Sequence, residues 1–191
     1  MRRMKPLDKP ENQNLPARER ILLTAHELFY REGIRATGID RVIAQSGVAK
    51  VTFYRYFPSK SDLIREYLEY RHQRWMRWFV DSLQRHGGNA QAIVPALAEW
   101  FSDANFRGCA FINSVGELGG VMPEVVEIAQ RHKQEMTSVI ASLLPPSRRR
   151  VKDAQALALA IDGAVVRAQL DQSPEVALSA LARILKSLLS V

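Results

Sequence analysis

The chain has 191 residues, a single cysteine and a formal net charge of +7, and 47% of its residues are hydrophobic. That length and apolar content can bury a core without cross-links. Cys109 has no second cysteine to pair with inside the chain, which suits a reducing cytoplasm. No apolar run approaches the roughly 20 residues that cross a bilayer, and the opening MRRMKPLDKPENQNLP lacks the apolar stretch of a secretory signal, so neither a membrane protein nor an exported one is expected.

Residues 1–16 read as a flexible arm. Pro6, Pro10 and Pro16 oppose regular structure, and Arg2, Arg3, Lys5 and Lys9 are free to face solvent or a polyanion. Residues 18–31 predict a first helix, because Ile21, Leu22, Ala25, Leu28 and Phe29 fall on one stripe and Gly33 follows as a stop.

Residues 37–60, TGIDRVIAQSGVAKVTFYRYFPSK, predict two short helices around a tight turn. Thr37 and Asp40 have the spacing of a capping box for the first helix, and Ile39, Val42 and Ile43 supply its apolar face. Ser46-Gly47 breaks the helix, and Gly47 can take the left-handed conformation of a sharp reversal. The second helix starts at Ala49, turns Phe53 and Phe57 inward, and is stopped by Pro58. Ser59 and Asp62 then form a second capping box for the next helix. Helix, glycine turn, and helix with a basic outer face make a DNA-reading helix-turn-helix. The charge agrees: residues 1–60 hold twelve Lys and Arg against six Asp and Glu, whereas residues 61–191 hold fifteen against fourteen. Lys50, Thr52 and Arg55 lie outward, where Lys or Arg can bond guanine O6 and N7 and Thr can touch a thymine methyl.

Residues 17–63, and GVAKVTFYRYFPSKSDL above all, resemble the tetracycline-repressor family of one-component regulators. Ala49, Val51 and Tyr56 stand where that family usually has a small polar residue, a small residue such as Gly, and often His. The resemblance implies that Thr37, Tyr54, Tyr56 and Lys60 contact phosphates. It also implies a linking helix, a short sixth helix, and a ligand cavity in the larger domain.

The rest of the chain is read as helical throughout. Residues 61–85 predict a long helix closed by Gly87-Gly88, residues 90–103 another, the compact CAFINSVGELGG the short sixth, and residues 123–144 a seventh with Pro123 at its first position. After the break PPSRRR, residues 151–172 and 174–189 predict two last helices. The expected fold is therefore all-α, about nine helices. A flexible arm (1–16) precedes an N-terminal three-helix DNA-binding domain (17–62) and a C-terminal helical ligand-binding and dimerisation domain (63–191).

One head has little affinity for DNA, so a homodimer on a palindromic operator is expected. The candidate interface is Leu157, Ile161, Val165 and Ala168 on the eighth helix with Leu178, Leu181, Leu185 and Leu188 on the ninth. Candidate pocket residues for a small-molecule inducer are Trp75, Phe79, Trp100, Phe101, Phe106, Cys109, Phe111, Met122 and Met136. Asn113 and Glu117, four apart on one helix face, are candidate polar anchors. Cys109 has two readings, a small buried hydrophobe or a thiol reactive towards oxidants and electrophiles.

No nucleophile elbow, phosphate loop, dinucleotide fingerprint or HExxH occurs, and His26, His72, His86 and His132 make no metal-ligand spacing with Cys109. The expectation is a cytoplasmic, ligand-responsive DNA-binding repressor with no enzymatic activity, metal or cofactor. The alternative is a DNA-binding dimer controlled by protein contacts or by cysteine oxidation or alkylation.

Overall fold

The computed structural model describes residues 14–171 and 173–190. Arg2, Arg3, Lys5 and Lys9 of the expected arm lie outside the described residues, as does Gln172 at the expected end of the eighth helix. Nine α-helices form among the described residues, with no strand: α1 (Ala17–Glu32), α2 (Ile39–Ser46), α3 (Lys50–Tyr56), α4 (Lys60–Arg85), α5 (Ile93–Phe101), α6 (Ala110–Leu118), α7 (Pro123–Leu143), α8 (Arg150–Leu170) and α9 (Glu175–Leu189).

The helix ends follow local chemistry. Gly33, at φ 92°, ends α1 with its N–H returned to the Phe29 carbonyl. Gly47, at φ 63°, makes the left-handed reversal between α2 and α3 that a side chain would strain. Ser59 Oγ accepts the Asp62 N–H at 3.1 Å and donates to the Asp62 carboxylate at 2.6 Å, so the capping pair expected at the start of α4 is formed. The other capping expectation is corrected. Gly38 is the N-cap of α2, while Thr37 is fully buried and its hydroxyl donates to the Gly33 carbonyl at 2.8 Å. Residues 90–103 do not form one helix either. A 3-10 turn over Ala90–Ala92 precedes α5, and Pro95 falls in the first turn of α5, where its missing N–H costs nothing.

The described residues of Met1–Gln73 and Ala110–Ala129 form one compact unit, and those of Arg74–Cys109 and Gln130–Val191 form a second. The segment 110–129 therefore packs with the N-terminal helices, although chain order alone assigns it to the larger domain. Helices α4 and α7 each contribute residues to both units.

In the first unit, Ile21, Ala25, Leu28 and Phe29 of α1 are buried with Val42 of α2, Phe53 in the middle of α3, Phe57 just after it, and Leu63, Tyr67 and Leu68 of α4. Phe29 meets Tyr67 edge-to-face at 5.3 Å. Burying each of these large side chains contributes about 1.5–3 kcal/mol, which short helices such as α2 and α3 cannot obtain alone. Phe111 and Leu118 of α6 and Val125 of α7 complete this core.

The second unit is built on aromatic rings. Trp75 stacks on Phe79 at 4.7 Å and meets Trp100 at 5.5 Å. Phe106 lies 5.2 Å from Trp100 and 5.1 Å from Phe101, and His132 lies 5.0 Å from Trp75. Arg85 at the end of α4 makes a two-pronged ion pair with Glu99 of α5 at 2.9 and 3.1 Å. Helices α8 and α9 pack together, and α5 packs on α9.

The expected interface residues of α8 and α9 are largely covered within the chain itself. Leu157, Ile161 and Val165, and likewise Leu181 and Leu185, are buried within one chain, with Ala168, Leu178 and Leu188 half-buried beside them. The apolar stripe legible in the sequence thus contributes to the packing of the single chain. Large exposed apolar side chains remain: Leu159, Val166 and Leu170 on the side of α8 opposite its buried residues, Val151 at its start, and Val176 and Ile184 on α9.

Candidate DNA-binding surface

Helices α1 and α2 hold α3 by its inner face. Phe53 and Phe57 are anchored in the core at 0% and 1% exposure, and residues at other angles on this short helix are consequently turned outward. Lys50, Tyr54, Arg55 and Tyr56 are exposed and Thr52 is half-buried. The Arg55 guanidinium lies 5.0 Å from the centre of the Tyr56 ring, and Lys50 Nζ lies 3.5 Å from Asp40 on α2. An exposed pair of that kind is worth about 0–1 kcal/mol and leaves the ammonium free to exchange partners.

Val51 is 78% exposed, one turn before Arg55 on the same outward face. It joins Lys50, Thr52 and Arg55 on the uncovered side of α3, and its methyl groups are of a kind that can meet a thymine methyl. Its spacing from Arg55 was the available signal, but an apolar residue between outward polar ones reads as core until the buried face is located.

Two of the sequence-predicted contacts are engaged elsewhere. Thr37, buried and bonded to Gly33, has no exposed hydroxyl to offer a phosphate. Lys60 is half-buried, and its Nζ donates to the Ile34 carbonyl at 2.7 Å. Burial pushes its pKa down, and the nearby Glu117 carboxylate partly offsets that.

Glu117 explains why this corner is ordered. It stands on α6, yet its carboxylate accepts the backbone N–H of Ile34 at 3.2 Å and of Arg35 at 2.7 Å. These N–H groups lie in the turn after α1, outside any helical ladder, and a carboxylate satisfies both. A side chain at position 33 would begin 3.3 Å from the Glu117 oxygens, so Gly33 is required both by its left-handed φ and by this close approach. Lys60 at the Ile34 carbonyl and Glu117 at the Ile34 and Arg35 N–H groups thus clamp the turn that leads into α2. Sequence spacing placed Glu117 beside Asn113 as a ligand anchor; the structure shows it occupied by the backbone of the turn instead.

The other candidate pocket residues divide between the units. Trp75, Phe79, Trp100, Phe101 and Phe106 belong to the aromatic cluster of the second unit, where Cys109 and Met136 are also buried. Phe111, Asn113 and Met122 belong to the first, Phe111 buried and the other two half-buried. Cys109 directly precedes α6, and its Sγ lies 3.5 Å from Lys133 Nζ, which is ion-paired with Asp162. Burial lowers the Lys133 pKa, but Cys109 and Asp162 together outweigh it, so the ammonium is held above its ordinary value. No helix among the described residues is long and apolar enough to cross a membrane.

Comparison with known proteins bears on the same surface. The profile of the bacterial regulatory proteins of the tetR family matches residues 21–67, from the buried face of α1 into α4. An HTH-type transcriptional regulator of Lactococcus lactis subsp. lactis is 24% identical over 109 residues, 54% of this chain and 56% of that protein. The HTH-type regulator YxaF of Bacillus subtilis (strain 168) is 40% identical over 55 residues, 28% of this chain and 29% of that protein. The chain thus spans about half of the first relative's length and under a third of the second's. The crystal structure of SCO4454, a TetR-family transcriptional regulator from Streptomyces coelicolor, superposes with a TM-score of 0.79 at 29% identity, covering 91% of this chain and 94% of that one. A three-helix head with a basic, outward-facing α3, a family profile lying across that head and a helical remainder of the same architecture converge: residues 21–67 match the tetR family of bacterial regulatory proteins, and the chain has the fold of a TetR-family transcriptional regulator.

Proposed function

We propose that this regulator is a cytoplasmic homodimeric repressor that leaves a palindromic operator when a small molecule binds its larger domain. The observation that carries the reading is the outer face of α3. Lys50, Val51, Thr52 and Arg55 stand ready for base edges, with Tyr54 and Tyr56 at its flanks for phosphates, above a core that fixes the helix by Phe53 and Phe57.

The second copy is reached through the outer faces of α8 and α9. Leu159, Gly163, Val166 and Leu170 fall on one helix face, and nothing crowds Gly163. Val176, Ala180 and Ile184 do the same on α9. Small and apolar residues exposed on two packed helices favour a four-helix interface with the same helices of a twin. The aromatic cluster around Trp75 and Trp100 is the proposed wall of the ligand site. Both indole nitrogens are buried without a hydrogen-bond partner, which favours a ligand that supplies an acceptor.

Duplexes selected from a random pool by the purified protein, then titrated against a metabolite collection, test the reading. Repression requires a palindromic selected site and at least one compound that releases it; selection of no common sequence would refute it.

A second mode of control is favoured by the 3.5 Å approach of Lys133 to Cys109, since a cation beside sulfur is the setting in which thiols react with oxidants and electrophiles. DNA release by hypochlorite or N-ethylmaleimide that disappears in Cys109→Ser supports it, and release that persists in the variant removes it.

A further inference from the structure

We propose that Arg71 is the docking point for the carboxylate of a small organic anion held between α1 and α4. This goes beyond the function proposed above; only its consequence for DNA binding rests on that reading.

Arg71 lies on α4 and is 2% exposed. A guanidinium keeps its charge at any physiological pH, so burial cannot be relieved by losing a proton. Three other cations that are partly shielded from solvent have an anionic group or a carbonyl beside them. Lys133 has Asp162, Arg85 has Glu99, and Lys60 has a carbonyl with Glu117 nearby. Arg71 has no carboxylate within ion-pair distance among the described residues. Its Nη1 reaches only His26 Nε2, at 3.4 Å, its Cζ lies 3.8 Å from the centre of the Tyr30 ring, and its buried Nη2 has no hydrogen-bond partner. An aromatic face attracts a cation, but it gives the in-plane N–H groups of the Nη2 edge no acceptor.

The surroundings select the anion. The rings of Tyr67 and Tyr70 stand 5.8 and 5.2 Å from His26, so the walls are aromatic and a carboxylate with an apolar or aromatic body fits them better than a hydrated phosphate. The same geometry explains how occupancy reaches DNA. Nη2 is closed off, so an occupant must part the α1 residues His26 and Tyr30 from Arg71. Helix α1 also packs on α2 and α3, the helices that read DNA. The unoccupied arrangement carries an uncompensated charge and the occupied one does not, which is the differential affinity that a population shift requires.

The test compares acetate, butyrate and benzoate with acetamide, butyramide and benzamide, with inorganic phosphate as a further arm, at constant ionic strength on the intact purified protein. The readouts are thermal shift and calorimetric Kd, with operator binding measured separately. At least one carboxylate should bind tenfold or more tightly than its amide. Arg71→Met should abolish that preference, and Arg71→Lys, which keeps the charge but loses the planar fork, should weaken the carboxylate while retaining the preference. Equal response to acids and amides, a response to phosphate alone, or a preference that survives Arg71→Met would overturn the assignment. Carboxylate binding without operator release leaves the site standing and counts against the link to DNA. Operator release by neutral compounds alone, with no carboxylate binding, sinks the site and leaves the ligand-responsive repressor intact.

Discussion

Replacing Glu117 by Ala removes one side chain from α6 and leaves three groups changed on the turn before α2. The Ile34 N–H loses its acceptor in a buried residue, the Arg35 N–H loses one in an exposed residue, and Lys60 loses its nearest compensating carboxylate. A hydrogen bond to a charged group contributes about 1.5–3 kcal/mol, and a buried donor left unsatisfied costs about 1–3 kcal/mol. Arg35 can turn to water, so its bond counts for little, and the expected loss is about 2–3 kcal/mol, most of it from Ile34. Glu117→Gln keeps one acceptor oxygen but aims an NH2 group at the second donor, so it should lose about 1–2 kcal/mol rather than behave as wild type. If the clamp holds the helix-turn-helix in its DNA-competent form, each 1.4 kcal/mol transferred to that equilibrium lowers operator affinity about tenfold. Urea denaturation measures the stability and fluorescence anisotropy on a selected duplex measures the affinity. A Glu117→Ala protein within about 0.5 kcal/mol and twofold of wild type on both would refute the reasoning, since surface substitutions without structural consequence fall in that range.

The remaining predictions concern the reading helix, the dimer and acid stability. Arg55→Ala and Val51→Ala should change base preference at individual positions by about 1–3 kcal/mol at most, whereas Tyr54→Phe should weaken all duplexes alike; binding to operator variants at two salt concentrations separates the two patterns. Leu159→Glu with Leu170→Glu should yield a folded monomer by analytical ultracentrifugation, because both side chains are exposed in one chain. Ile161→Ala should instead cost about 2–5 kcal/mol of stability with assembly unchanged, and the opposite outcome would restore the buried stripe as the interface. The Arg85 guanidinium beside Glu99 holds that carboxyl below its ordinary 4.5, with burial opposing. A lowered folded-state value means the stabilisation is in full force above pH 4.5 and fades as acid takes the pH down through the folded-state value. Glu99→Gln should therefore lose on the order of 1 kcal/mol at pH 7, and denaturation curves should show the difference shrinking towards pH 3.

Much of the head could be read along the chain because its chemistry is local. A glycine turn, a proline stop, the Ser59–Asp62 cap and phenylalanines four apart each act within one or two helical turns, so their spacing alone implies the geometry. Thr37 shows where that stops. Its spacing from Asp40 fits a cap, but the carbonyl of Gly33 was nearer to its hydroxyl once the turn had closed. For α8 and α9, spacing showed apolar residues on more than one face and could not say which face would be covered by the same chain.

Amino-acid order by itself determined the class: all helices, a basic N-terminal helix-turn-helix, and the inner and outer sides of α3, since period and punctuation are properties of neighbouring residues. Only the tertiary structure decided that Glu117 and Lys60 grip one turn, that Leu159 and Leu170 rather than Leu157 and Ile161 face outward, and that Arg71 is buried against Tyr30 without a counter-charge. Each of these is a meeting of residues 26 to 83 positions apart, or a choice between two apolar faces, and it is made by which surfaces exclude water together when the helices pack.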